Sequence, residues 1–151
     1  RDCVCAPGVV QKYLSRISGP LLDRIDIHIE IIPVPFEKLS ELRESESSEK
    51  VRERVMKARQ IQELRFRDID GVYCNAQMSS KQMREFAVVD KAGSELLKNA
   101  MLRLNLSARA YDRIIKVART IADLDDSEHV LSHHIAEAIN YRNLDREGWA
   151  G

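Results

Sequence analysis

The chain has 151 residues, 44% of them hydrophobic, 32% charged and only 5% aromatic, a globular composition whose core must be largely aliphatic. Lys plus Arg and Asp plus Glu each number 24, so no net field favours nucleic acid or an anionic membrane. No apolar run approaches the ~20 residues that a membrane-spanning helix needs. The three cysteines, Cys3, Cys5 and Cys74, are too few for a disulfide scaffold, and a cytoplasmic protein with reduced thiols is expected.

Residues 8–17 read as a short helix started by Pro7 and stopped by Gly19 and Pro20. Leu21 to Arg24 predicts a single helical turn. From Ile25 to Ile31 apolar and polar residues alternate, which predicts a strand with Ile25, Ile27, Ile29 and Ile31 facing a core. A lone strand cannot satisfy its own backbone groups. Residues 1–33 are therefore expected to be the edge of a larger α/β domain whose other strands lie elsewhere. Pro33, Pro35 and the Ser/Glu-rich tract from Ser40 to Ser48 predict a linker over 34–48.

Beyond the linker every pattern is helical. Val51, Val55, Ala58, Ile61 and Leu64 mark one face of a helix from Ser48 to Arg67, with Gly71 just past its end. Ser79 and Gln82 fit a capping box, opening a short helix to Val88. Leu97, Ala100, Met101 and Leu104 form the stripe of a helix over 90–104. Ser107 caps the next, through Leu124, with Tyr111, Ile114, Ile115, Ala118, Ile121 and Ala122 on its apolar face. The last helix starts near Ser132 and buries Ile135, Ala138 and Ile139, leaving a tail over 145–151 that includes Trp149. The expected fold is mainly α: a helical bundle over 49–144 behind a short helix–strand remnant.

The blocks SRISGPLLDRID (15–26), GVYCNAQM (71–78), LSARAYDRI (106–114), ARTIADL (118–124) and HIAEAINYR (134–142) together resemble the Mg-chelatase-like branch of AAA+ ATPases, in particular proteins of the ComM/YifB type. The resemblance implies the C-terminal part of a hexameric ring that hydrolyses ATP with Mg²⁺, the bundle over 49–144 being its helical lid. In ComM-like members it implies translocation on DNA during transformation and recombination, with the DNA contacts made by upstream elements. Relatives place an arginine finger where Arg24 stands, with Arg16 a weaker competitor, and a sensor-2 arginine where Arg109 stands. Charge on transferred phosphoryl oxygens calls for such fixed, planar donors. At a helix start, backbone donors and a guanidinium can face one phosphate together. Arg113 and Arg119 are expected to be solvated or salt-bridged.

The resemblance also implies a second cysteine pair upstream that would join Cys3 and Cys5 around a structural zinc; two ligands alone do not close a tetrahedral site. Cys74 is expected to be a small buried residue. His133 and His134, adjacent on a helix, should point ~100° apart and so not share a metal. His28 falls on the strand's polar face and His129 in a loop; all four histidines are read as structural or exposed. The basic residues of 50–67 alternate with Glu and Gln, a solvated face rather than a DNA stripe.

No G-x-x-x-x-G-K-[ST] phosphate loop occurs in these 151 residues. With Arg1 rather than Met in first place, a fragment that neither binds ATP tightly nor hydrolyses it is expected, its hinge at 33–48. The alternative is a helical module that binds protein or DNA without ATP.

Overall fold

The computed structural model describes residues 4–31, 33–35 and 46–142. Cys3, residues 36–45 of the expected linker and the expected tail lie outside the described residues. The described elements are α1 (Pro7–Leu14), α2 (Gly19–Leu22), α3 (Ser48–Phe66), a 3₁₀ turn (Asn75–Gln77), α4 (Ser80–Phe86), α5 (Lys91–Arg103), α6 (Ala108–Leu124) and α7 (Ser132–Asn140). The architecture is mainly helical, that of a C-terminal lid bundle.

Helix starts follow local chemistry. Pro7 opens α1, where a missing N–H costs nothing. Gly19 and Pro20, expected as stops, instead form the first residues of α2, for the same reason. Ser47 Oγ accepts from Lys50 N at the head of α3. Ser79 N donates to Gln82 Oε1 at 2.7 Å while Gln82 N donates to Ser79 Oγ at 3.4 Å, the reciprocal box read from the sequence. Asp90 and Ser107 cap α5 and α6 by accepting from Gly93 N and Ala110 N.

The core gathers α6 against α3 and α7, and α5 against α7. Ile114, Ile115, Ala118 and Ala122 of α6 meet Ile135, Ala138 and Ile139 of α7, with Leu97, Met83 and Phe66 around them. Full burial of Ile114 or Ile135 contributes about 1.5–3 kcal/mol each. Phe66 and Phe86 meet edge to face with centroids 5.6 Å apart. Val130, fully buried, joins the α4–α5 connection to the α6–α7 connection through a single bridge to Val89. Gly93 allows the close approach of α5 to α7: a Cβ there would lie 2.7 Å from Asp90 Oδ1, 2.8 Å from Val89 Cγ1 and 3.3 Å from Ile135 Cγ1.

Two expected faces are different. In α3 the buried residues are Ala58, Gln62 and Phe66, whereas Val51, Val55 and Leu64 are exposed. The contact with α6 selects a stripe that includes a glutamine, because Gln62 Oε1 accepts from the buried Asn75 N. Tyr111, placed on the apolar face of α6, is 44% exposed.

Residues 25–31 form no strand among the described residues. His28 is buried, its N–H donating to Tyr141 O at 2.7 Å and its Nε2 to Leu22 O at 3.2 Å. Ile25, Ile27, Ile29 and Ile31 are 41%, 47%, 67% and 89% exposed. No strand among the described residues runs beside this segment; His28 alone of its polar side is buried, while Asp26, Glu30 and the four isoleucines are exposed.

Candidate functional site

Arg24 and Arg109 come from segments 85 positions apart in the chain, and the turns that carry them are bonded to each other. α2 ends in a turn at Asp23 and Arg24, where Arg24 N donates to Leu21 O and its Nη1 to Pro20 O at 3.0 Å. Ser107 Oγ donates to Asp23 Oδ1 at 2.7 Å while accepting from Ala110 N at 3.1 Å. The hydroxyl that caps α6 thus also holds the Arg24 turn against the start of the helix that carries Arg109. Both arginines are exposed, and neither forms an ion pair among the described residues. Arg16 lies over the Tyr13 ring, 5.9 Å from its centroid.

Below this pair runs an open groove of about 600 Å³ between Asp26–Ile29 and the exposed side of α6, with Arg109, Arg113 and Lys116 on its wall. Arg113 is neutralised by an ion pair to Asp26, as expected for a salt-bridged residue. Lys116 donates to Ala76 O. Its apolar floor is built from Val117, Ile121 and Leu124 of α6.

A second set of polar groups fastens the same turn from the C-terminal end of the lid. Arg142, immediately past α7, is fully buried. Its Nη1 donates to Ile25 O, and its Nη2 lies 3.5 Å from Asp23 O and 3.6 Å from Asp23 Oδ1.

Deep in the bundle, the Asp123 carboxylate receives Arg65 on both oxygens, Arg119 Nε at 3.1 Å and Asn75 Nδ2 at 2.7 Å. Arg119 also donates to Glu128 O and Ser127 O. Burial pushes the Arg119 guanidinium below its ordinary pKa, and Asp123 opposes that shift. The network ties α3, the 3₁₀ turn and α6 into one unit. It is structural: Asp123 has no exposed surface, and every partner is a protein donor. The sequence left Arg119 as solvated or salt-bridged and gave no role to Arg65, Asn75 or Asp123; the structure buries Arg119 in the pair with Asp123. Their i, i+4 spacing in α6 (Arg119, Asp123) was the available signal.

The histidines diverge from expectation. His133 and His134 do meet: their ring centroids are 3.9 Å apart, and their Nε2 atoms lie 3.4 and 3.2 Å from Asp125 Oδ2. Adjacent helical positions converge here because His134 folds back over its own N-terminus, its Nδ1 accepting from Leu131 N at 3.0 Å. That bond places the His134 proton on Nε2, where it is donated to Asp125. A metal on Nε2 would need that proton removed and Nδ1 turned into a donor facing another donor. The trio therefore suits a hydrogen-bonded helix connection better than a cation. Hydrogen bonding from His134, then His133, holds the Asp125 carboxyl below the usual range. His129 is exposed. Cys5 is exposed and Cys74 half-buried, its Sγ 3.7 Å from Gln77 Oε1.

No helix among the described residues is long and apolar enough to cross a membrane. The family model for the C-terminal part of magnesium chelatase subunit ChlI matches residues 45–142, and the model for magnesium chelatase subunit ChlI matches residues 1–39. The chain is 39% identical over 143 residues to YifB of Escherichia coli and 39% identical over 142 residues to the competence protein ComM of Haemophilus influenzae. It is 35% identical over 143 residues to YifB of Salmonella typhimurium. These alignments cover 94%, 93% and 94% of this chain but only 27% of each relative, so the chain spans about a quarter of the length of the curated relatives it matches. With its helical lid matched along its length and relatives of this identity, the chain belongs to the Mg-chelatase-like family of ComM and YifB.

Proposed function

We propose that this chain is the C-terminal part of an ATP-driven AAA+ motor of the cytoplasm, with residues 1–33 ending the ATPase core, 34–48 forming the hinge and 49–144 forming the lid. In this reading Arg24 is the arginine finger, Arg109 the sensor-2 arginine, and the working form a homo-hexamer. The observation that carries it is the Ser107–Asp23 bond, which sets two exposed arginines on neighbouring turns with no carboxylate partner among the described residues. Two such guanidiniums fit a polyphosphate: each presents a planar fork of donors to phosphoryl oxygens whose charge grows as the bond to the leaving group breaks. The outward isoleucines 25, 27, 29 and 31 add support, since an apolar row of that kind is suited to being covered by further strands of a core.

ATP is the substrate in this reading. These residues orient its phosphates and meet their charge; a phosphate loop and Mg²⁺ ligands would come from outside this sequence. The competence name of one relative favours DNA as the track on which the motor acts, through upstream elements. A zinc held by Cys3 and Cys5 requires two further ligands from upstream.

Arg24→Ala in the intact protein tests the assignment. ATP binding should persist while turnover falls on the order of 10³-fold, the low end for lost fingers. Unchanged turnover would remove Arg24 from the reaction. Arg109→Ala should lower turnover with some weakening of nucleotide binding, and wild-type values for both would remove Arg109.

A further inference from the structure

The contacts of Arg142 are not explained by the lid alone. A fully buried guanidinium is costly unless its donors are satisfied, and that of Arg142 reaches two residues of the N-terminal segment. Its Nη1 donates to Ile25 O, and its Nη2 faces Asp23 O and Asp23 Oδ1. These residues flank Arg24 on both sides. The carbonyls of the residues on either side of the exposed arginine are therefore gripped by one planar side chain, from a residue 117 and 119 positions away.

Two more bonds act on the same stretch. Ser107 Oγ donates to the same Asp23 Oδ1 that Arg142 Nη2 faces, and His28 N donates to Tyr141 O, the residue before Arg142. The segment from Asp23 to His28 is thus fastened at the α6 start and at the α7 end. Among the described residues Arg24 itself makes none of these long-range bonds; its side chain reaches back to Pro20 O, within its own turn.

We propose that Arg142 is the positioning residue for Arg24, a latch that makes the finger turn ride with the lid. This rests on the reading of Arg24 as the finger. Lid rotation about 34–48 then pulls the Asp23–His28 turn at the edge of the core with it, so that Arg24 moves when the lid moves. The guanidinium is suited to this because its rigid fork fixes two carbonyls and a carboxylate at once, whereas a lysine ammonium would hold one point.

The test uses the intact protein in four forms: wild type, Arg24→Ala, Arg142→Ala and the double variant. ATPase kcat and KM are read with hydrogen exchange of the 23–28 amides. Arg142→Ala should lower kcat at least tenfold with KM within about threefold. It should also speed exchange at Ile25–His28 while α6 amides at Ile114–Ala122 stay protected, and the double variant should be no slower than Arg24→Ala alone. A double variant slower by the product of the single effects would show that Arg142 acts by another route and would overturn the inference. So would loss of protection throughout α6, or wild-type kcat in Arg142→Ala beside an impaired Arg24→Ala. If Arg142→Ala does not fold, Arg142→Lys carries the same test, with an intermediate kcat expected and a wild-type kcat overturning it. If Arg24→Ala itself turns over normally, the finger reading fails and the latch has nothing to position. That outcome is distinct from failure of the latch alone.

Discussion

The lid and the segment before it use buried polar groups in opposite ways. Inside the lid, Arg65, Arg119, Asn75 and Asp123 satisfy one another beneath a continuous aliphatic core, so the polar network and the apolar packing strengthen the same unit. Across residues 22–28 there is little core: Leu22 and His28 are buried, and the isoleucines face outward. That segment is held to the lid by hydrogen bonds and ion pairs from Ser107, Arg113, Tyr141 and Arg142. Apolar packing is non-directional and fills space, while a fork of donors fixes particular atoms. The lid is built for bulk stability, and the turn at Asp23 and Arg24 for placement of particular atoms.

Asp123→Ala breaks the stronger half of that contrast. It strands Arg65 and Arg119 without their carboxylate, and a loss of about 3–5 kcal/mol is expected from urea unfolding. A loss below 1 kcal/mol would show that solvent reaches the network and that it is not the centre of the lid. Gly93→Ala should cost about 1–3 kcal/mol, because its Cβ overpacks the Val89 and Ile135 contacts; thermal melting checks it, and an unchanged melt would mean α5 shifts freely.

Ser107→Ala acts on both halves at once. Loss of the α6 cap should cost about 0.5–2 kcal/mol, and the 23–26 amides should exchange faster than those of α6. Equal change in both would erase the distinction between lid and turn. A smaller effect is expected at Asp125. Its folded carboxyl titrates below its ordinary range, so its contribution is present above the unfolded pKa of about 4 and is lost as pH falls through the lower folded value. Melting temperature against pH should therefore fall less steeply in acid for Asp125→Asn than for the wild type, and parallel curves would discard the link. Ile29→Ser, on the outward row, should change stability by no more than about 0.5 kcal/mol in this chain; a large loss would mean the isoleucines already pack within it.

Much of the lid was legible beforehand. The capping residues Ser79, Gln82 and Ser107 marked their helices, and Leu97, Ile114, Ile115, Ala118, Ala122, Ile135, Ala138 and Ile139 were placed in the core where they stand. The face of α3 was misjudged because Gln62, not Val51, Val55 or Leu64, turns inward and accepts from Asn75 N in the 3₁₀ turn. The isoleucines from 25 to 31 were read as facing the core of a larger domain; within this chain they are exposed, and alternation did not reveal that His28 on the opposite side would be buried against the lid. The motif residues Arg24 and Arg109 were named from family resemblance, but nothing in their spacing revealed that Ser107 and Asp23 join their turns.

Taken alone, then, the sequence determined the helix starts, the aliphatic stripes of α5–α7 and the family, since caps and periodic stripes are set by residues within a few positions of one another. Tertiary structure decided which polar side chains go inside: Asp123 with its arginines, His134 over Leu131, and Arg142 reaching back to Asp23 and Ile25. A buried charge is tolerable only where donors and acceptors from distant parts of the chain converge on it, and such convergence leaves no local pattern to read.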